Sequence, residues 1–185
     1  MTRYAGRRAV VVGQDTGIGL AIAKRLVEGG ARVLLTARTA ADGAHARSEL
    51  GSAAHVVESL DGLYDTAGRP DGLDGPDLLF ADAVATARPL LPLLRDGGAV
   101  VLTAPAPSQA AVRALAAELA PRGIRVNAVA PGCIEAAPPV APPPLPPLGR
   151  LGSAEEVARA ALFLATDATF TTGAHLPVDG GLGPA

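Results

Sequence analysis

Residues 8–38 read RAVVVGQDTGIGLAIAKRLVEGGARVLLTAR. The run 9–12 is short, apolar and rich in β-branched residues, as a strand buried on both faces requires. Gly13, Gly17 and Gly19 follow at once. Ile18, Ile22 and Leu26 then recur at near-helical spacing, and the pair Gly29-Gly30 closes the helix. Residues 33–35 give a second buried strand. Strand, glycine turn, helix and strand predict half of a doubly wound βαβαβ unit. One glycine permits the tight turn, one lets a pyrophosphate approach the backbone, and one lets the helix sit close to the sheet. The helix N-terminus offers unpaired N–H groups and a partial positive charge to phosphates. A turn kept only for packing is the alternative, and both readings stay open.

Arg38 falls just past the second strand. A carboxylate there would bind the ribose hydroxyls of NAD, whereas an arginine suits a 2′-phosphate. The expected cofactor is therefore NADP(H) before NAD(H). A solvated Arg38, and a chain that binds no cofactor, remain open.

Composition bounds the rest. With 185 residues the expectation is a single domain, 1–185, large enough for one sizeable core. Aromatics are scarce at 3%, so that core must be Ala, Val and Leu with closely approaching elements. A formal net charge of −2 leaves no electrostatic footprint for nucleic acid. No apolar run approaches membrane-spanning length, and the N-terminus lacks the apolar region of a signal peptide. A cytoplasmic protein is expected. The one cysteine, Cys133, excludes an internal disulfide and a multi-cysteine metal site. His45, His55 and His175 show no metal-ligand spacing, so no metal is expected. Lys24 is the only lysine, beside fifteen arginines, and Tyr4 and Tyr64 are the only tyrosines.

Along the chain, 7–12 and 32–37 are strands, 17–29 and 39–50 helices, and 54–58 a third strand. The fourth strand is ambiguous between 60–68 and 76–83. In a sheet ordered 3-2-1-4 a parallel crossover needs a dozen residues or more, which only the second choice leaves. The fourth strand is therefore expected at 77–82, with a helix over 83–95 kinked at Pro89 and Pro92. A long helix from Asp77 is the competing reading. Strands follow at 99–103 and 124–129, the latter ending in Pro131-Gly132, with a helix between from 107 or 108 to about 120. Segment 136–147 holds seven prolines in twelve residues and should be extended and stiff. Ser153 and Glu156 form a capping box opening the last helix, and 174–178 is the final strand.

Three blocks now carry a resemblance: VVGQDTGIG with its helix and LLTAR; RDGGAVVLTA with AAVRALAAELAPRGIRVNAVAPG; and PLGRLGSAEEVARAALFLATD with TTGAHLPVDGG. Together they resemble the short-chain dehydrogenase/reductase family over most of the chain. The resemblance implies a Rossmann-like doubly wound α/β fold, a mostly parallel sheet of about six to seven strands with helices on both faces. It implies a small-molecule ligand and a homo-oligomer or assembly with a homologue. It implies cofactor contacts at Gly13, Gly17, Ile18, Gly19 and Arg38, at Ala81 and Asp82 where the family has Asn-Asn, and at Pro131 and Gly132 beside the nicotinamide. The family's threonine shortly after Pro-Gly is replaced by Ala136.

The larger departure is catalytic. The family reduces carbonyls with a Ser, a Tyr-x-x-x-Lys pair and a supporting Asn: Tyr gives the proton, Lys lowers its pKa, and Ser holds the substrate oxygen. Here Ala104-Pro105 stands where the serine should be, Pro105 falls on the tyrosine position, and Gln109 replaces the lysine. Segment 136–147 replaces a longer substrate lid. The expectation is a shortened homologue that has lost carbonyl reduction and serves as a non-redox biosynthetic catalyst or pseudoenzyme subunit. An NADP(H)-dependent oxidoreductase with another proton donor is the alternative. Weak catalytic candidates are Asp82, Gln109, Cys133 and Glu135. Asp82 and Glu135 could act as acid and base, Gln109 could orient a carbonyl, and Cys133 could face the nicotinamide site. Against these stand surface solvation for the first three and a small buried hydrophobe for the cysteine. Ser108 reads as a helix cap.

Overall fold

A computed structural model describes residues 3–12, 17–37, 39–58, 75–103, 108–135 and 145–183. Its seven strands are β1 Arg8–Val11, β2 Arg32–Thr36, β3 Ala54–Val57, β4 Leu78–Ala81, β5 Ala99–Leu102, β6 Arg125–Pro131 and β7 His175–Val178. They form one sheet in the order β3-β2-β1-β4-β5-β6-β7, and every neighbouring pair is parallel. The order reverses between β1 and β4, so the crevice above their C-terminal ends is the place where such sheets bind ligands. The fourth strand lies within 77–82, as topology requires, and the long-helix alternative from Asp77 is excluded.

Side chains alternate between the two faces, because a strand repeats every second residue. Val11, Leu35, Phe80 and Val101 pack with Ile22 and Leu26 of α1 (Ile18–Glu28) and Val157 and Ala161 of α5 (Ala154–Leu162). Val10, Leu34, Leu79, Val100 and Val126 pack on the other face with Val112, Leu115 and Leu119 of α4 (Gln109–Leu119). α2 (Ala40–Leu50) covers β3 and is capped by Thr39, whose hydroxyl accepts from the Asp42 amide at 3.1 Å. The charged ring outside this core includes Arg25–Glu155, which ties α1 to α5.

Two expectations are corrected. The helix foreseen over 83–95 is only α3, Val84–Ala87, followed by a 3-10 segment Arg88–Leu93. Pro89 and Pro92 lack the N–H groups an α-helix would use there, so the backbone stays helical through Arg88 but the α-helical ladder gives way to the tighter 3-10 segment instead of kinking. The sixth strand runs on to Pro131, because β7 offers it a partner as far as Val178.

Arg125 opens β6 and is half-buried. Its guanidinium donates to the carbonyls of Leu164 at 2.6 Å, Ala165 at 2.6 Å and Ala168 at 3.0 Å, closing the turn that ends α5. Burial, with the charge of Arg7 nearby, pushes its pKa down. Asn127 is buried and fixes the approach to β7: its side-chain N–H donates to the Thr171 carbonyl at 2.9 Å, and its oxygen accepts from the Ala174 amide at 3.0 Å. Among the described residues, no helix is long and apolar enough to cross a membrane.

Candidate dinucleotide site at the carboxyl edge of the sheet

The first wall of the crevice is the start of α1. Gly17 caps it in the left-handed region, φ +73°, which L side chains rarely adopt. The first helical bond runs from the Ala21 amide to the Gly17 carbonyl at 3.0 Å, so the amides of residues 18–20 have no partner inside the helix. Among the described residues no side chain caps this end, and no acidic residue sits in the first turn. That arrangement suits the pyrophosphate of a dinucleotide. Ile18 is 2% exposed and belongs to the core, so only its backbone can serve a ligand. Gly19 is buried beside it. Gly13 and Arg38 lie outside the described residues.

The middle wall is the end of β4. Ala81 is fully buried, and its carbonyl accepts from the Thr103 amide at 2.8 Å and hydroxyl at 3.3 Å. Asp82 follows, half-buried, and its Oδ1 accepts from the hydroxyl of Thr86. Thr86 Oγ1 also accepts from the Ala83 amide at 3.1 Å, so these residues start α3. The Asp82 carboxylate thus has a local structural partner at Oδ1.

The far wall is the end of β6, three strand spacings from β1, or about 14 Å. Gly132 donates to the Val178 carbonyl at 3.0 Å. A Cβ on Gly132 would lie 2.6 Å from the Asp179 Cα, so β7 alone already requires glycine here. Asp179 in turn closes the final turn, accepting from the amides of Gly181 at 2.9 Å and Gly183 at 3.1 Å. Beyond Gly132, Cys133 lines a cleft of about 450 Å³ with Pro147, Leu148, Arg150 and Val178. Glu135 is exposed. Asp82 follows β4 and Glu135 lies four residues past β6, strands two spacings apart, and among the described residues no hydrogen bond joins the two.

Gln109 is exposed at the first position of α4, and Ser108 caps that helix, its Oγ accepting from the Ala111 amide at 3.2 Å. Residues 104–107, where the sequence reading expects the family's serine and tyrosine positions, lie outside the described residues, as do Tyr64 and 136–144. Tyr4 is buried in the core against Gly29, at the other end of α1. Lys24 sits six residues into α1, about 9 Å along its axis, and its ammonium pairs with Glu49 on α2 at 2.8 Å.

Sequence reasoning missed the support behind Cys133. Arg150 grips Glu156 with both guanidinium nitrogens, at 2.9 and 2.7 Å. Glu156 also accepts from the Ser153 amide at 3.0 Å. These bonds, the Arg150 pair first, hold the Glu156 carboxyl at about 2, well below its ordinary value. The Arg150 guanidinium is raised in turn, chiefly by its bond to Glu156 and further by the charge of Glu135. The capping-box pattern signalled Ser153–Glu156; nothing in the spacing signalled Arg150.

The family model described as short chain dehydrogenase matches residues 7–68, and the one described as enoyl-(acyl carrier protein) reductase matches 103–183. Oxidoreductase asL5 from Sarocladium schorii is 33% identical, over 97% of this chain and 97% of its own length. That alignment spans 244 positions, so the 185 residues here leave at least 59 of them without a counterpart. Two solved structures share the fold. One is a 3-ketoacyl-(acyl-carrier-protein) reductase from Brucella melitensis complexed with NADH, 26% identical, TM-score 0.80, covering 96% of this chain and 98% of that one. The other is a short-chain oxidoreductase from Pseudomonas aeruginosa PAO1 described as containing an atypical catalytic center, 27% identical, TM-score 0.78, covering 98% and 99%. With its seven-stranded parallel sheet, its open α1 N-terminus and a relative aligned end to end, this chain belongs to the short-chain dehydrogenase/reductase family.

Proposed function

We propose that this protein keeps the dinucleotide scaffold of its family and has lost the family's carbonyl reduction, acting instead as a non-redox catalyst or as a subunit of an oligomer. One observation carries the reading: the chain's single lysine is committed to an ion pair with Glu49, away from the crevice. With no second lysine, no tyrosine can be paired as the reaction requires. NADP(H) is the favoured ligand because Arg38 suits a 2′-phosphate. When bound, the nicotinamide supplies or accepts hydride, chemistry that belongs to the cofactor. The protein's part is to seat the pyrophosphate on the amides of residues 18–20 and to wall the far end with Pro131 and Gly132.

A second reading is supported by Asp82 and by the Pseudomonas relative with its atypical centre. Thr86 orients the Asp82 carboxyl by donating to Oδ1, and that carboxyl is the group this reading makes the proton donor. General acid help of this kind is worth ~10²–10⁴-fold. Calorimetric titration with NADPH and NADH, run beside a carbonyl turnover assay, separates the two. Binding without turnover is the expected result. Turnover abolished by Asp82→Asn would install the second reading, and absence of any nucleotide binding would remove both.

A further inference from the structure

The residues just beyond Pro131-Gly132 have no element of their own to hold them. They are placed by a short parallel bridge. Ile134 pairs with Gly152, the Gly152 amide donates to the Cys133 carbonyl at 2.9 Å, and the Glu135 amide donates to the Gly152 carbonyl at 2.7 Å. Ile134 packs closely over the bridge, its Cδ1 lying 2.9 Å from where a Cβ on Gly152 would stand. What holds Gly152 lies on either side of it. Arg150 donates to both oxygens of Glu156 and also, through Nη1, to the Leu151 carbonyl at 3.0 Å. On the other side, Glu156 accepts from the Ser153 amide and hydroxyl, the latter at 3.3 Å. One carboxylate therefore closes a loop of seven residues around Gly152. A forked guanidinium on a carboxylate is among the stronger and more directional pairings available to a protein.

We infer that Arg150 and Glu156 form a latch that sets the position of residues 133–135, the wall beyond Pro131-Gly132, by fixing Gly152 between them. They are positioning residues, acting through the bridge. Only the consequence for nucleotide affinity rests on the dinucleotide reading; the latch itself stands on the geometry. α5 keeps its own cap from Ser153, so the Arg150 half of the latch can be removed without uncapping the helix.

The sole cysteine makes this measurable. Maleimide labelling of Cys133 in the nucleotide-free protein should quicken about tenfold in Arg150→Ala, as the bridge opens locally. Arg150→Lys should restore only part of the protection, since an ammonium lacks the fork. Hydrogen exchange should quicken at the Glu135 and Gly152 amides in step. Glu156→Gln should do more, because it also weakens the helix cap. If Arg150→Ala labels and exchanges at the wild-type rate, the latch is refuted, even where the unfolding midpoint falls. With the latch in place and NADPH bound by the wild type, Arg150→Ala should bind NADPH several-fold more weakly. A wild type that binds no nucleotide would sink the dinucleotide reading and leave the labelling result to decide the latch.

Discussion

The two halves of the crevice differ in what holds their residues. On the β1–α1 side, each feature a nucleotide needs is also a feature the fold needs. Gly17 starts the helix, Ile18 fills the core, and β1 pairs on both edges. On the β5–β6 side, the sequence departs from the family pattern where the resemblance puts its chemistry: Ala104-Pro105 falls on the serine and tyrosine positions, and Gln109, at that of the lysine, is exposed at the start of α4. Packing would protect such a scaffold even under the proposed loss of the reaction. Where the far side does keep a family residue, as at Gly132, the collision a side chain would make with Asp179 is reason enough.

The largest effect is expected in the core that both halves share. Phe80 is 1% exposed in the central strand β4. Phe80→Ala should cost about 3–5 kcal/mol, read by urea unfolding, and leave little folded protein. Gly132→Ala forces a methyl against backbone and should cost about 1–3 kcal/mol; a neutral result would return this glycine to the ligand alone. Ser153→Ala removes a cap and should cost about 1 kcal/mol, read the same way.

The Glu156 latch gives a pH dependence. Its carboxyl sits at about 2 in the folded protein, below its ordinary value. The stability it contributes is therefore complete above about pH 5 and is lost as pH falls towards 2. Glu156→Gln should lower the thermal midpoint at neutral pH, and the gap from wild type should close on acidification. The smallest effect is expected at Lys24. Its pair with Glu49 is exposed, and such pairs contribute little. Lys24→Met should leave the unfolding midpoint and any nucleotide affinity unchanged; loss of an activity there would overturn the view that the only lysine is ornamental to the chemistry.

Most of the fold was legible because it rests on periodicity. Strand runs of apolar residues, Gly29-Gly30 after α1 and the Ser153–Glu156 box each mark one local event with one physical cause. The fourth strand needed a further constraint, crossover length, and that sufficed. The proline-broken α3 was misjudged because tolerance of Pro89 depends on packing that sequence does not display. The site was less legible. Gly17 and Pro131-Gly132 are backbone features with sequence signatures. The partner of Asp82, Thr86, lies only four residues on and became legible once α3 was placed directly after β4. The partner of Cys133, by contrast, is Gly152 from beyond the proline segment, a meeting set by tertiary placement that no spacing rule encodes.

The central claim is that the nucleotide half of the crevice outlived the proton-donating half. Consumption of NADPH, followed by nicotinamide absorbance against a panel of carbonyl compounds with saturating nucleotide, tests it most directly. The account predicts a rate no greater than without protein. Sustained turnover by the purified chain alone would contradict it.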